Sequence, residues 1–229
     1  MMALEKILQK EGFGTRRVCR HLIESGKVRV KEEICLHPRA LFSQKNLPLT
    51  VENHKIVTKE YVILAINKPV GVECSQKSFH SSIFSLIPER FKNRNVQLVG
   101  RLDVETSGLI FLTDNGKLNH FLTAPKNKIP RTYIAECADV LPSGSCEKLQ
   151  EGIVLKNEKH KTWVESAQLL DEKTLKITLT TGKYHEVRRL IGALGNRVIH
   201  LKRIAFGKFF LPDNLPFGDF LEIEKEQIL

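Results

Sequence analysis

Apolar and polar positions divide this chain into two textures. In the first, Leu4, Ile7 and Leu8 stand at i, i+3 and i+4 and predict a short helix that stops at Gly12. A second helix is predicted at once, with Thr15 as N-cap, Val18, Leu22 and Ile23 on one face, and Gly26 in left-handed conformation just past the end. Lys27-Val28-Arg29-Val30 then alternates like a strand. Beyond Lys59 the texture changes to recurrent apolar runs at 62–66, 96–99, 109–112, 133–135, 175–179 and 198–201. They read as strands, several alternating, separated by turn residues such as Asp114-Asn115-Gly116. The clearest helix among them spans His185 to Leu194, with Val187, Leu190, Ile191 and Leu194 on one face and Gly195 at its end. No fixed-period repeat or low-complexity segment interrupts the pattern. The expectation is an α+β chain. A small helix-rich module over residues 1–59 precedes a mixed, largely antiparallel-sheet domain over 60–229.

Composition narrows the function. Apolar residues make up 41% of the 229 and charged ones 27%, ordinary globular usage with enough material for a core. The net charge of +10 suits a polyanionic partner, solubility being the plainer alternative. Residues 1–60 hold 12 Lys and Arg against 7 Asp and Glu, so positive charge is densest at the N-terminus. There Arg16, Arg17, Arg20, Lys27, Arg29 and Lys31 face only Glu24 within 14–31, a set that can meet phosphates or form a solvated helix face. A second basic stretch, 182–208, carries Lys183, Arg188, Arg189, Arg197, Lys202, Arg203 and Lys208 against Glu186. If both regions face one way, two domains grip one folded polyanion, and effective concentration raises the affinity. The five cysteines form no C-x-x-C pair, and their odd number gives no complete disulfide framework, which fits a reducing cytosol. His185 and His200 lack companions at metal-ligand spacing and are read as structural. Residues 1–10 lack the apolar core of a signal peptide and no stretch approaches a membrane span, so a soluble, cytoplasmic protein without membrane contact is expected.

The most informative stretch is GRLDVETSGLIFLTDNG, residues 100–116. It sets Arg101 and Asp103 two apart on a segment leading into a strand, with Thr106, Ser107 and Gly108 read as a tight polar turn between them. A carboxylate there can be fixed and desolvated; an ordinary surface turn is the alternative. The stretch resembles the catalytic motif of pseudouridine synthases, in the branch of the ribosomal small-subunit pseudouridine synthase A. Four further segments agree in order and distance: Asn67-Lys68-Pro69-Val70-Gly71, Arg131-Thr132-Tyr133, the run from Gly182 to Arg189, and Leu201-Lys202-Arg203-Ile204. The helix-helix-strand unit before residue 60 resembles the S-four-like RNA-binding domain of ribosomal proteins. It departs from that pattern at Lys31-Glu32-Glu33, where an Asn-Gly turn is usual.

The resemblance implies roles residue by residue. Asp103 matches the essential aspartate, as nucleophile or as base. Tyr133 matches the aromatic that stacks on the target base, Arg188 the basic partner of the aspartate, and Arg101 a contact to RNA near the target. Arg16, Arg17, Arg20, Lys27, Arg29, Lys68, Arg189 and Arg203 are the expected RNA contacts. Glu186 stands where the family has glutamine, so it either competes for Arg188 or points to solvent; Arg131 stands where lysine is common. The implied reaction breaks the bond from ribose to uracil N1, turns the base and joins C5 to the same carbon, which needs an ionised carboxylate and no cofactor or metal. The target must first be extruded from its stack. The expected partner is ribosomal RNA or an assembling ribosomal particle, met by a monomer, small-subunit RNA first and large-subunit RNA as the alternative. Two other readings stay open. One is a non-catalytic RNA-binding assembly factor; the other is a sugar hydrolase pairing Asp103 with Glu105, whose odd spacing on an extended segment sends both side chains one way.

Overall fold

A computed structural model describes residues 1–76 and 81–229. The chain forms two compact units, Met1–Val62 with Ile87–Gln97, and Ile63–Leu86 with Leu98–Leu229.

In the first unit, α1 (Leu4–Lys10) and α2 (Arg16–Glu24) form where periodicity and caps predict. The Thr15 hydroxyl accepts from Val18 N at 3.4 Å, and Gly26 takes φ +74° beyond the end of α2. The buried face of α2 is Cys19 and Ile23, however, and Val18 is half exposed. Strand β1 (Val28–Val30) pairs with β2 (Glu33–Ile34) and β3 (Pro48–Val51), and β3 pairs with β4 (His54–Val57). The turn between β1 and β2 is Lys31-Glu32, both at positive φ (50° and 71°), the two-residue geometry that Asn-Gly normally supplies. The unit closes over Leu4, Ile7, Leu8, Cys19, Ile23 and the inward residues of β1 and β3. Two buried carboxylates tie it together. Glu5, fully buried on α1, accepts from Arg16 Nε at 2.7 Å and from Arg20 Nε and Nη2 at 3.1 and 3.0 Å. Glu11 pairs at 2.7 Å with Arg94, which follows helix α3 (Glu89–Asn93), and that pair holds the Ile87–Gln97 segment on this unit.

The second unit is built on one mixed sheet. Its strands are β5 (Ile63–Lys68), β6 (Thr106–Thr113), β7 (Arg131–Cys137), β8 (Ser166–Leu169), β9 (Thr174–Leu179), β10 (Val198–Phe206) and β11 (Phe220–Glu222). They lie in the order β8-β9-β7-β10-β6-β5-β11, antiparallel along this path except for the β6–β10 pair. Strands β5 and β6 are buried along their whole length, the apolar runs 63–66 and 109–112 together with the polar residues that flank them. The segment Thr106-Ser107-Gly108, read above as a turn, is the buried start of β6. It runs parallel to Leu201-Lys202-Arg203 of β10, and only the glycine fits, since a Cβ at Gly108 would lie 2.2 Å from the Arg203 carbonyl oxygen. Asp114-Asn115-Gly116 does turn the chain, and it also starts helix α4 (Gly116–Thr123), with the Asn115 side chain capping Leu118 N at 3.1 Å. Helix α5 (Ser145–Glu151) follows β7. Helix α6 (Glu186–Ala193) buries Val187, Leu190 and Ile191 in one core cluster with Leu175, Ile177 and Leu179 of β9 and Val198 and Leu201 of β10. Among the described residues no helix is long and apolar enough to cross a membrane.

Candidate active site

A cleft of about 910 Å³ opens in the second unit, lined by the 100–106 loop, the start of β7, the end of β9, the 180–185 loop and the start of α6. Sequence positions far apart converge there because β7 and β10 are neighbours and β10 runs beside β6. The pairing of β7 with β10 shifts register between Thr132 and Tyr133. A bulge of this kind re-aims side chains, and Tyr133 stands opposite Arg203, half-buried on the cleft wall.

Asp103 lies on the loop before β6, held by its own backbone. Its carbonyl accepts from Thr106 N at 3.0 Å, the next carbonyl, Val104, accepts from Gly71 N at 2.9 Å, and Leu102 N reaches the Cys74 sulfur at 3.4 Å. Its side chain keeps 43% of its surface exposed, where the sequence pointed to a desolvated carboxylate. Asp103 Oδ1 lies 3.4 Å from Nε2 of His185, a residue read from the sequence as structural. Arg188 lines the same cleft, but its Nη2 lies 3.7 Å from Glu105 Oε2, and among the described residues no ion pair joins it to Asp103. Arg101 is exposed on the cleft wall.

The 180–186 loop is shaped by Glu186, which neither competes for Arg188 nor faces solvent. It is buried, accepts from the Thr181 hydroxyl and from Lys183 N at 3.0 Å, and so closes a ring around the start of α6. His185 sits inside that ring with φ +48°, a left-handed conformation that costs a non-glycine residue energy and marks a constrained position. Tyr184 stacks on it with ring centroids 3.9 Å apart.

Two expected RNA contacts, Lys68 and Arg203, are buried. Lys68 is fully buried; its ammonium donates to the carbonyls of Pro69, Val72 and Val104 at 2.9, 2.8 and 3.3 Å. Burial pulls its pKa below the ordinary lysine value, against attraction from Cys74 and Asp103. Lys68 therefore braces the Asp103 loop. Arg203 is 2% exposed, gives Nε to the Leu109 carbonyl at 2.6 Å and lies 5.1 Å from the Phe206 ring centre. Its Nη2 and the Thr106 hydroxyl are buried beside the cleft without a partner among the described residues. Arg189 reaches Glu158 at 3.1 Å and the Lys156 carbonyl at 2.8 Å, and Glu158 also takes Lys183 at 3.0 Å; the Lys183 bond first, then Arg189, holds the Glu158 carboxyl below the usual carboxylate range. In the first unit, Arg16 and Arg20 are partly exposed but committed to Glu5, Lys27 pairs with Glu52 at 2.8 Å, and Arg17 and Arg29 are exposed. The residues that sequence reasoning missed, His185, Glu5 and Glu158, act through long-range contacts that no local pattern announces.

A carboxylate, an aromatic wall and several cations around one cleft form a site for a nucleoside in a polyanion. The profile of the RNA pseudouridylate synthase family matches residues 60–193, and the chain belongs to that family, whose members are isomerases. It is 33% identical over 230 residues to the ribosomal small subunit pseudouridine synthase A of Vibrio vulnificus (strain CMCP6), covering 99% of this chain and 98% of that one. An uncharacterized RNA pseudouridine synthase of Aquifex aeolicus (strain VF5) is 31% identical over 99% of this chain and 94% of its own length. A crystal structure of a pseudouridylate synthase superposes with a TM-score of 0.70 at 29% identity, covering 100% of this chain and 98% of that one.

Proposed function

We propose that this chain converts one uridine of small-subunit ribosomal RNA to pseudouridine with Asp103 as the essential carboxylate. The observation that carries the reading is the convergence of Asp103, Tyr133, Arg101 and Arg188 on one cleft, in a chain that aligns over nearly its full length with small-subunit synthases. The target nucleotide is drawn out of its stack, at a cost of a few kcal/mol that new stacking and backbone contacts offset. Tyr133 packs against the extruded uracil, and Arg101 and Arg188 meet its flanking phosphates or the developing charge. Asp103 then acts at the sugar. The N1–C1′ bond breaks with its electron pair leaving on the base, the base turns, C5 bonds to C1′, the C5 proton departs and N1 is protonated. The atoms of reactant and product are the same, so the chemistry needs no cofactor.

The first unit, read as an S-four-like module over residues 1–59, adds sequence-independent grip through its exposed Arg17, Lys27 and Arg29, with Arg16 and Arg20 contributing as far as Glu5 releases them. A monomer in the cytoplasm, acting on ribosomal RNA or an assembling particle, meets these requirements. The test is tritium release from C5-labelled uridine in a small-subunit ribosomal RNA fragment. Wild type is expected to release it, and Asp103→Asn to abolish release while still binding the RNA. Equal release by both proteins would remove Asp103 from the mechanism. Release only from a large-subunit fragment would move the substrate to that RNA.

A further inference from the structure

Tyr184 is the most exposed aromatic side chain among the described residues, at 77%. Such a ring ordinarily gains by burial or by a hydrogen bond from its hydroxyl, and here neither is present: no described residue bonds the phenol. What it has is a location. It lines the cleft, and one ring face lies on the imidazole of His185, 3.9 Å away and tilted by 14°, which at this exposure leaves the other face to solvent. His185 in turn lies 3.4 Å from Asp103. The sequence Asp103, His185, Tyr184 therefore runs from the carboxylate to an open π surface on the same side of the cleft.

Extruding a nucleotide leaves its neighbours each short of one stacking partner, and a free aromatic face beside the extrusion site restores one. We propose that Tyr184 stacks on the nucleobase adjacent to the target uridine, so that a pair of tyrosines divides the substrate: Tyr133 on the uracil to be turned, Tyr184 on its neighbour. The inference rests on the reading of Asp103 as the reacting carboxylate. Because every base presents a π face, the contact tolerates sequence and contributes binding more than discrimination. His185, fixed in its left-handed conformation, is the back of the platform.

The test uses the full-length protein and the ribosomal RNA fragment, with 2-aminopurine placed in turn on each side of the uridine that wild type converts. Tyr184→Ala is expected to raise KM by roughly tenfold with kcat held within about twofold, and to lose the fluorescence quenching that wild type produces at one of the two positions. Tyr184→Phe, which keeps the ring and loses the hydroxyl, is expected to restore both. An unchanged KM and unchanged quenching in Tyr184→Ala would overturn the proposal. So would a fall in kcat at constant KM, since the ring would then be serving His185 and Asp103 instead of the RNA. If wild type itself converts no uridine, the proposed function falls and takes this inference with it; normal wild-type turnover with a silent Tyr184→Ala overturns this inference alone.

Discussion

The helix pair of the first unit and the frame of the cleft in the second handle positive charge in opposite ways. In the first, a buried carboxylate holds exposed cations: Glu5 is sealed in the helix pair, while the Arg16 and Arg20 side chains that bind it keep 53% and 41% of their surface in solvent. In the second, Lys68 and Arg203 are themselves buried and carbonyl groups hold them. Lys68 is satisfied by three backbone oxygens, and Arg203 by one oxygen and the face of Phe206. Counterion placement decides which cations can greet a polyanion. The first unit turns Arg16 and Arg20 outward from an internal anchor, whereas the second spends Lys68 and Arg203 on framing the cleft beside Asp103. A list of basic residues cannot distinguish grip from frame, and their surroundings do.

The largest expected effect comes from removing a framing cation. Lys68→Met strips the donor from three buried carbonyls and unfastens the loop behind Asp103. Loss of about 2–5 kcal/mol of stability is expected, read by denaturant unfolding, together with at least a hundredfold fall in turnover read by tritium release. A variant with normal turnover would erase the distinction between the units. A smaller effect is expected at the anchor of the first unit. The Arg16 guanidinium, then that of Arg20, holds the Glu5 carboxyl below its ordinary value. That contribution is fully present above the ordinary glutamate range and lost as pH falls through the lowered folded value. Wild type should therefore show more loosening of the helix pair in acid than Glu5→Gln does, by amide hydrogen exchange of residues 4–24. At neutral pH the same variant should bind RNA more tightly and with a steeper salt dependence, since two arginines are released to phosphates. Flat exchange profiles in both proteins would show that the pair does not anchor the unit. The smallest effect belongs to the β1–β2 turn. Replacing Lys31-Glu32 by Asn-Gly should stabilise the first unit by about 1 kcal/mol, because those residues adopt positive φ at lower cost. Thermal unfolding followed through that unit checks the sign.

Much of this was legible in advance because the signals were local. Helix α2 carries its own cap in Thr15 and its own stop in Gly26, and β9 alternates Leu175, Ile177 and Leu179 inward with polar residues between. The resemblance located the cleft-lining residues Arg101, Asp103, Tyr133 and Arg188 for the same reason, each lying in a short motif with its own spacing. What failed depended on distant partners. Thr106-Ser107-Gly108 looks like a turn by composition and becomes strand because β10 runs beside it. Lys68 and Arg203 look like surface cations until β5, β6 and β10 enclose them. Val18 has helical spacing, yet the neighbouring Cys19 faces inward, because the core shared with α1 and the strands fixes which stripe of α2 is covered. His185 gains its relation to Asp103 only through a left-handed residue that no propensity marks.

The closeness of Gly108 to the Arg203 carbonyl bears on how tolerance to substitution should be interpreted in this chain. A methyl group at Gly108 cannot be placed without parting two strands, so a functional screen would score that position as silent a failure as Asp103. Under the proposed role of Asp103 the two can be told apart by what survives: losing the carboxylate is expected to leave a folded protein that still holds RNA, whereas crowding the strands is expected to remove the protein from the soluble pool altogether.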